Sequence, residues 1–148
     1  MAIRCPECGG LYEEDDGCAM KFGLMLEREF VDPDYGSVHH LTVAGYMLQH
    51  ATRLSRRGWI EMRGLLRLNL REGVEPARMR QRIRKAGINS FKGWSLKPDG
   101  TRLDAALGYP WALTVATIDM SSGERYRENV ARWADAVLVD AERLAAAE

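Results

Sequence analysis

The chain has 148 residues, the length of one ordinary domain, with 46% hydrophobic and 28% charged residues. That balance excludes a disordered chain and allows a core without disulfides, and no apolar run reaches the ~18 residues of a membrane span. Net charge is zero, but residues 1–52 sum to −6, residues 53–85 to +8 and residues 86–148 to −2. The basic middle third marks either a surface for an anionic partner or an element packed against acidic neighbours of its own fold, and the second reading is favoured.

Residues 1–17 read as irregular: Cys5-Pro6-Glu7-Cys8-Gly9-Gly10, then the acidic run Glu13-Glu14-Asp15-Asp16, then Gly17. Residues 18–31 read as a helix whose inner face is Cys18, Phe22, Met25, Leu26 and Phe30. Met20, Phe22, Leu24 and Leu26 also alternate as a strand would, but Leu, Met, Glu, Lys and Arg dominate and favour helix. Asp32-Pro33-Asp34 stops it, because proline lacks a donor and disfavours helix in the residue before it.

A second helix is expected over 37–51, with His39, Val43, Tyr46 and His50 on one side. A third, over 56–71, buries Trp59, Ile60, Leu65, Leu66 and Leu70 and ends at Glu72-Gly73. A fourth starts near Pro76, turns Met79 and Ile83 inward and closes at Gly87. Residues 87–112, punctuated by Gly87, Gly93, Gly100, Gly108, Pro98 and Pro110, read as a long irregular connection. It carries Trp94, Leu96, Leu103, Leu107 and Trp111, so it should wrap across the bundle rather than hang in water. Residues 113–120 fit either a short strand or a helical turn. From Ser122 or Gly123 to the end, Tyr126, Val130, Trp133, Val137 and Leu144 line a long amphipathic helix. The expectation is a mainly α single domain over 1–148, a bundle of about five helices over 18–148 carrying an N-terminal zinc-knuckle segment, 1–17.

Cys5, Cys8 and Cys18 are the only cysteines. An odd number, in a chain whose start lacks the apolar stretch of a secretory signal, argues against a disulfide framework and for a cytoplasmic location. Two residues between Cys5 and Cys8 let both thiolates point inward across a tight turn, and Gly9 permits positive φ after the second. A redox pair would sit at a helix start beside a βαβ pattern, which is lacking, so structural Zn2+ is favoured.

A closed zinc site takes four ligands. Cys18 opens a helix, where free N–H groups stabilise a thiolate. If segments 18–31 and 37–51 form an antiparallel hairpin about residue 34, Cys18 and His50 are equidistant from the turn and lie side by side. His39 and His40 are then about 15 Å away along the axis. The expected metal ligands are Cys5, Cys8, Cys18 and His50, with Arg53 or Arg4 balancing the charge of three thiolates and with Tyr46 and Gln49 as neighbours.

The order Cys5-Pro6-x-Cys8-Gly9, then Gly17-Cys18, then His40-Leu41-Thr42-Val43-Ala44-Gly45-Tyr46-Met47-Leu48-Gln49-His50 resembles a family of uncharacterised bacterial proteins. That family carries a CPxCG knuckle, a lone GC and a segment close to H-L-T-V-D-A-Y-x-x-Q-H-P. Trp94-x-Leu96-x-Pro98, Leu113-Thr114-Val115-Ala116 and Trp133-Ala134 resemble its second half. The resemblance implies that Cys5, Cys8, Cys18, His40 and His50 occupy recurring metal-capable positions. Ala44 stands where the family tends to have an acid, Ala51 replaces its proline, and the C-terminal helix lacks a histidine often found near its end. The first and last departures weaken the case for a second, catalytic metal. The resemblance implies no activity.

Two functions follow. The favoured one is a non-enzymatic, zinc-stabilised binding or adaptor module whose macromolecular or anionic partner meets a basic surface. Arg63, Arg67 and Arg71 repeat every four residues on the third helix, and Arg78, Arg82 and Lys85 make a second stripe on the fourth. Nucleic acid is a candidate but not the favoured partner, since aromatic interleaving is sparse and no recognition-helix signature is present. The alternative is a hydrolase-like metal enzyme: if His50 were not a ligand, the zinc would keep an open position and Glu13, Glu14 or Asp15 would supply a base. Three thiolates lower the Lewis acidity of zinc, and neither a nucleophile elbow nor a glycine-rich phosphate loop occurs.

Overall fold

The computed structural model describes residues 2–85 and 97–147. The expected stop at Gly87, and Gly93, Trp94 and Leu96 of the long connection, lie outside the described residues. The chain opens with a two-stranded antiparallel ribbon, β1 (Ile3–Arg4) and β2 (Leu11–Tyr12), with Ile3 opposite Tyr12 and Arg4 opposite Leu11. Among the described residues six α-helices follow: α1 (Gly17–Val31), the single turn α2 (Pro33–Gly36), α3 (His39–Gln49), α4 (Arg56–Glu72), α5 (Pro76–Lys85) and α6 (Gly123–Ala147). The fold is mainly α, as the periodicity indicates. The ribbon corrects the reading of residues 1–17 as wholly irregular: two residues per strand are too few for alternation to register in a sequence.

Helix α3 is the hub. It packs against α6, α4 and α1, so its sides from Leu41 to Gln49 are buried or half-buried, and its ends carry the histidines. Close approach to α6 requires Gly45, because a Cβ there would stand 2.6 Å from Cη2 of Trp133. Trp133 is held in turn, its indole N–H donating to Oε1 of Gln49 at 3.1 Å, while Nε2 of Gln49 donates to the Leu113 carbonyl at 2.6 Å. Gln49 is thus a fully buried amide with both ends satisfied, joining α3, α6 and the connecting chain.

Helix α1 runs antiparallel to α3 in a register centred on residue 34. Cys18 meets His50, Phe22 stacks on Tyr46 at 3.8 Å, and Glu29 meets His39, each pair symmetric about that residue. The turn is itself helical: Pro33 opens α2 and Asp32 caps it, its carboxylate accepting from the Asp34 amide. The inner face of α1 is Cys18, Phe22, Met25 and Glu29. Phe30, expected inside, is 91% exposed, and the buried position one residue earlier belongs to a carboxylate.

Helix α4 is capped by Ser55, whose hydroxyl accepts from the Gly58 amide, and ends at left-handed Gly73. It buries Trp59, Leu65 and Leu66, with Leu70 partly buried, but Ile60 is 42% exposed rather than inside. On α5, Met79 is buried and Ile83 half-buried. The described part of the connection does cross the bundle, burying Leu103 and Trp111, with one 3-10 turn at Asp104–Ala106. A second at Val115–Thr117 resolves residues 113–120 as a turn, not a strand. Tyr126, Val130, Trp133, Val137 and Leu144 all lie on the buried face of α6. No described helix is long and apolar enough to cross a membrane.

Candidate metal centre

The ribbon and the α1–α3 hairpin bring four side chains to one point. The turn between β1 and β2 carries Cys5 and Cys8 and closes through the Gly9 amide to the Cys5 carbonyl at 2.9 Å, with φ of Gly9 at +79°. The Gly10 amide lies 3.4 Å from the Cys8 sulfur and donates to it. Cys18 is in the first turn of α1 and His50 immediately follows α3. Both the Thr52 amide and hydroxyl donate to Oε1 of Glu7, at 3.2 and 2.9 Å, fastening the cysteine turn to the chain just after His50.

The ligand atoms of Cys5, Cys8, Cys18 and His50 lie within 4.8 Å of one another. Nε2 of His50 is 3.1 Å from the Cys18 sulfur and 3.7 Å from that of Cys5, and the Cys8 and Cys18 sulfurs are 3.6 Å apart. Tetrahedral zinc with sulfur ligands at ~2.3 Å and nitrogen at ~2.0–2.1 Å has ligand edges of about 3.5–3.8 Å; the 3.6 and 3.7 Å separations match these, and the 3.1 Å pair, a hydrogen-bond distance, would open by about 0.4 Å around an ion of that size. The histidine is oriented for it: Nδ1 donates to the Tyr46 carbonyl at 2.7 Å, leaving Nε2 to face the sulfurs. Tyr46 stacks on the imidazole at 3.9 Å and Phe22 on the far face of Tyr46. Cys8, Cys18 and His50 are buried, with Cys5 half-buried.

The three thiols and the imidazole shift one another's protonation. The hydrogen bond from Cys8 holds the Cys18 thiol down to about 4, against burial, and His50 assists by hydrogen bond and charge. Cys8, which gives that hydrogen bond, is pushed far up, and burial adds to the effect. Burial disfavours a charged His50, yet its hydrogen bonds to Cys18 and Cys5 raise it to about 9. Burial likewise opposes a Cys5 thiolate, but the His50 hydrogen bond and the Cys8 and Glu7 amides bring its thiol below the usual value. Without a metal these shifts favour a Cys18 thiolate beside a charged His50, and a metal held by all four residues takes each of them without its proton. The Arg53 guanidinium lies over the Tyr46 ring at 5.2 Å, and Arg4 reaches the Gly9 carbonyl at 2.9 Å, so both expected counter-charges flank the site.

The other histidines are elsewhere. Nδ1 of His39 is 2.8 Å from Oε1 of Glu29, and Nε2 of His40 is 3.2 Å from Oδ1 of Asn69. His40, metal-capable by resemblance, is not among the four gathered residues. Glu29, which the sequence reading passed over, is 6% exposed and accepts from His39, from Thr42 at 2.5 Å and from the Tyr126 hydroxyl. Its signal was its place on the Cys18–Phe22–Met25 stripe, one step of four beyond Met25. The basic stripe of α4 is largely engaged: Arg63 pairs with Glu142 at 2.9 Å, Arg67 with Glu142 and Glu72, and Arg71 with Asp135 at 2.6 Å. Among the described residues no ion pair engages Arg78, Arg82 or Lys85.

Residues 3–142 match a family of unknown function (DUF5946), and the chain belongs to that family. No curated protein and no solved structure matches it.

Proposed function

We propose that this member of the family is a non-enzymatic binding module whose helical bundle is pinned by one structural zinc on Cys5, Cys8, Cys18 and His50. The observation that carries the reading is the convergence of three sulfurs and one correctly oriented imidazole nitrogen from three separate segments within 4.8 Å. Three features favour a structural over a catalytic ion. Four protein donors fill a tetrahedron, three thiolates weaken Lewis acidity, and three of the four donors are buried, leaving no position for a water or a substrate. The partner face we assign to α5, where Arg78, Arg82 and Lys85 remain for an anionic macromolecule after the α4 arginines have paired with α6.

The test is metal content per chain of protein purified without added metal, followed by melting with and without a strong chelator. About one zinc per chain and a sharp fall in Tm on chelation are expected, because a structural ion contributes its binding free energy to folding. A chain holding no zinc, or one whose Tm ignores chelation, overturns the proposal.

A further inference from the structure

At the end of α3 remote from the cysteines, α3, α4 and α5 line a half-open cavity of about 280 Å³ that lies apart from the four metal-capable residues. Its wall is apolar: Val43 and Ala44 from α3, Met62 and Leu66 from α4, Met79 and Ile83 from α5. Among the described residues its polar groups are His39, His40, Asn69 and Arg80, three of them basic, and no carboxylate lines it. The size is just below the ~300 to 1,000 Å³ of drug-sized ligand pockets, which suits a smaller ligand, and the apolar wall with a few polar groups is their usual make-up.

We propose that this cavity binds a small monocarboxylate with an unbranched apolar tail, the tail lying among Val43, Met62, Met79 and Ile83 and the carboxylate meeting Arg80 and His40. The charge pattern is what selects an anionic head. Among the described residues no acid pairs with Arg80, so its guanidinium offers an open fork of donors. The polar atoms of Asn69 fix the histidine. Its Nδ2 donates to the Val74 carbonyl at 2.9 Å, so its Oδ1 accepts from Nε2–H of His40 and leaves Nδ1 of that ring to take or share a proton. Glu29, whose charge acts on His40, has its oxygens taken by His39, Thr42 and Tyr126. Burial holds the His40 pKa below its usual value, and the charges of His39 and Arg80 act the same way, while Asn69 and Glu29 oppose them. A bound carboxylate would relieve that repulsion. An uncharged or cationic head would not.

Octanoate, 1-octanol and octylammonium serve as probes of equal tail length on the intact zinc-containing chain, followed by calorimetry and by the methyl shifts of Met62 and Met79. Octanoate should bind saturably, with 1-octanol and octylammonium at least about tenfold weaker, and the His40 ring should titrate at higher pH with octanoate bound. Arg80 is exposed, so Arg80→Gln leaves the fold intact and should cost octanoate about tenfold while leaving 1-octanol unchanged. Ala44→Leu, which fills the cavity, should abolish methyl shifts from every probe in protein shown by its melt to be folded. Equal affinity for octanoate and 1-octanol, no saturable binding below the octanoate micelle threshold, or an Arg80→Gln variant that binds octanoate like the parent overturns the proposal.

Discussion

The two ends of α3 hold imidazoles by different means, and the difference sets what each substitution costs. His50 is fixed through Nδ1 to a backbone carbonyl and points Nε2 at two sulfurs. His39 is side-chain exposed to 59% and supplies one of three hydrogen bonds to buried Glu29. His50→Ala should therefore weaken metal binding and lower Tm as chelation does. His39→Ala should keep its metal and lose only about 1 kcal/mol, since Thr42 and Tyr126 still serve the carboxylate. Metal analysis and melting of both variants check this, and equal metal loss in the two would remove His50 as the fourth ligand. The metal-free chain should also carry a pH signature. Cys18 is lowered from 9.0 to about 4 and His50 raised from 6.5 to about 9. The Cys18 contribution is complete only above 9.0 and is lost as pH falls towards 4. That of His50 is complete below 6.5 and is lost as pH rises through about 9. Between 6.5 and 9 folded and unfolded chains then hold the same number of protons on the pair, so the pair leaves stability level and the lowered Cys5 thiol adds a rise towards 9.0. Below 6.5 the unfolded chain holds one more, and stability falls towards pH 4. Denaturant melts of chelated protein across that range measure it, and a flat profile down to pH 4 would contradict the ion pair.

At the scale of elements, packing separates two glycines that sequence treats alike. Gly45 and Gly23 are both helical, and alanine at either gains up to about 1 kcal/mol in propensity. At Gly23 nothing lies within 4 Å of an added Cβ, so Gly23→Ala should raise stability. At Gly45 the Cβ meets a Trp133 ring that its bond to Gln49 prevents from turning aside, so Gly45→Ala should lose about 1–2 kcal/mol net. Denaturant midpoints of the two variants moving in the same direction would refute this. The same distinction explains what could be read beforehand. The α1–α3 register follows from one proline and chain symmetry about residue 34, and with it the meeting of Cys18 and His50. The end of α4 at Gly73 carries its own local chemistry. Which face of α1 turns inward at its last turn does not: Glu29 and Phe30 are adjacent, and apolarity favours Phe30. Only the donors His39, Thr42 and Tyr126, brought from α3 and α6, make a carboxylate acceptable in the core. The β1–β2 ribbon is likewise set by its turn and its place on the hairpin, not by strand pattern. The cavity between α3, α4 and α5 depends on the angle of three helices, which no periodicity encodes.

Across the whole molecule, the charge imbalance divides into a part that the fold uses and a part that it leaves. The arginines of α4 face Glu142 and Asp135 of α6, so one stretch of the basic third meets the acidic residues of the C-terminal helix, as the intramolecular reading expects. Exposed pairs of this kind contribute little each, about 0–1 kcal/mol. Arg63, Arg67 and Arg71 changed together to Gln should thus lower Tm modestly while hardly affecting polyanion binding. Arg78, Arg82 and Lys85 on α5 have no such partners among the described residues, and their loss should do the reverse. If the partner is a nucleic acid, binding to random duplex at low salt should weaken steeply as salt rises, by about 0.9 in log–log slope for each phosphate contacted. Changing the three α5 cations to Gln should then flatten that slope by up to about 3 with Tm unchanged. A parent chain that ignores duplex at low salt would exclude nucleic acid and leave a protein or small-anion partner for α5. A parent that binds with an unchanged slope in the α5 variant would mean that the contact lies elsewhere on the surface.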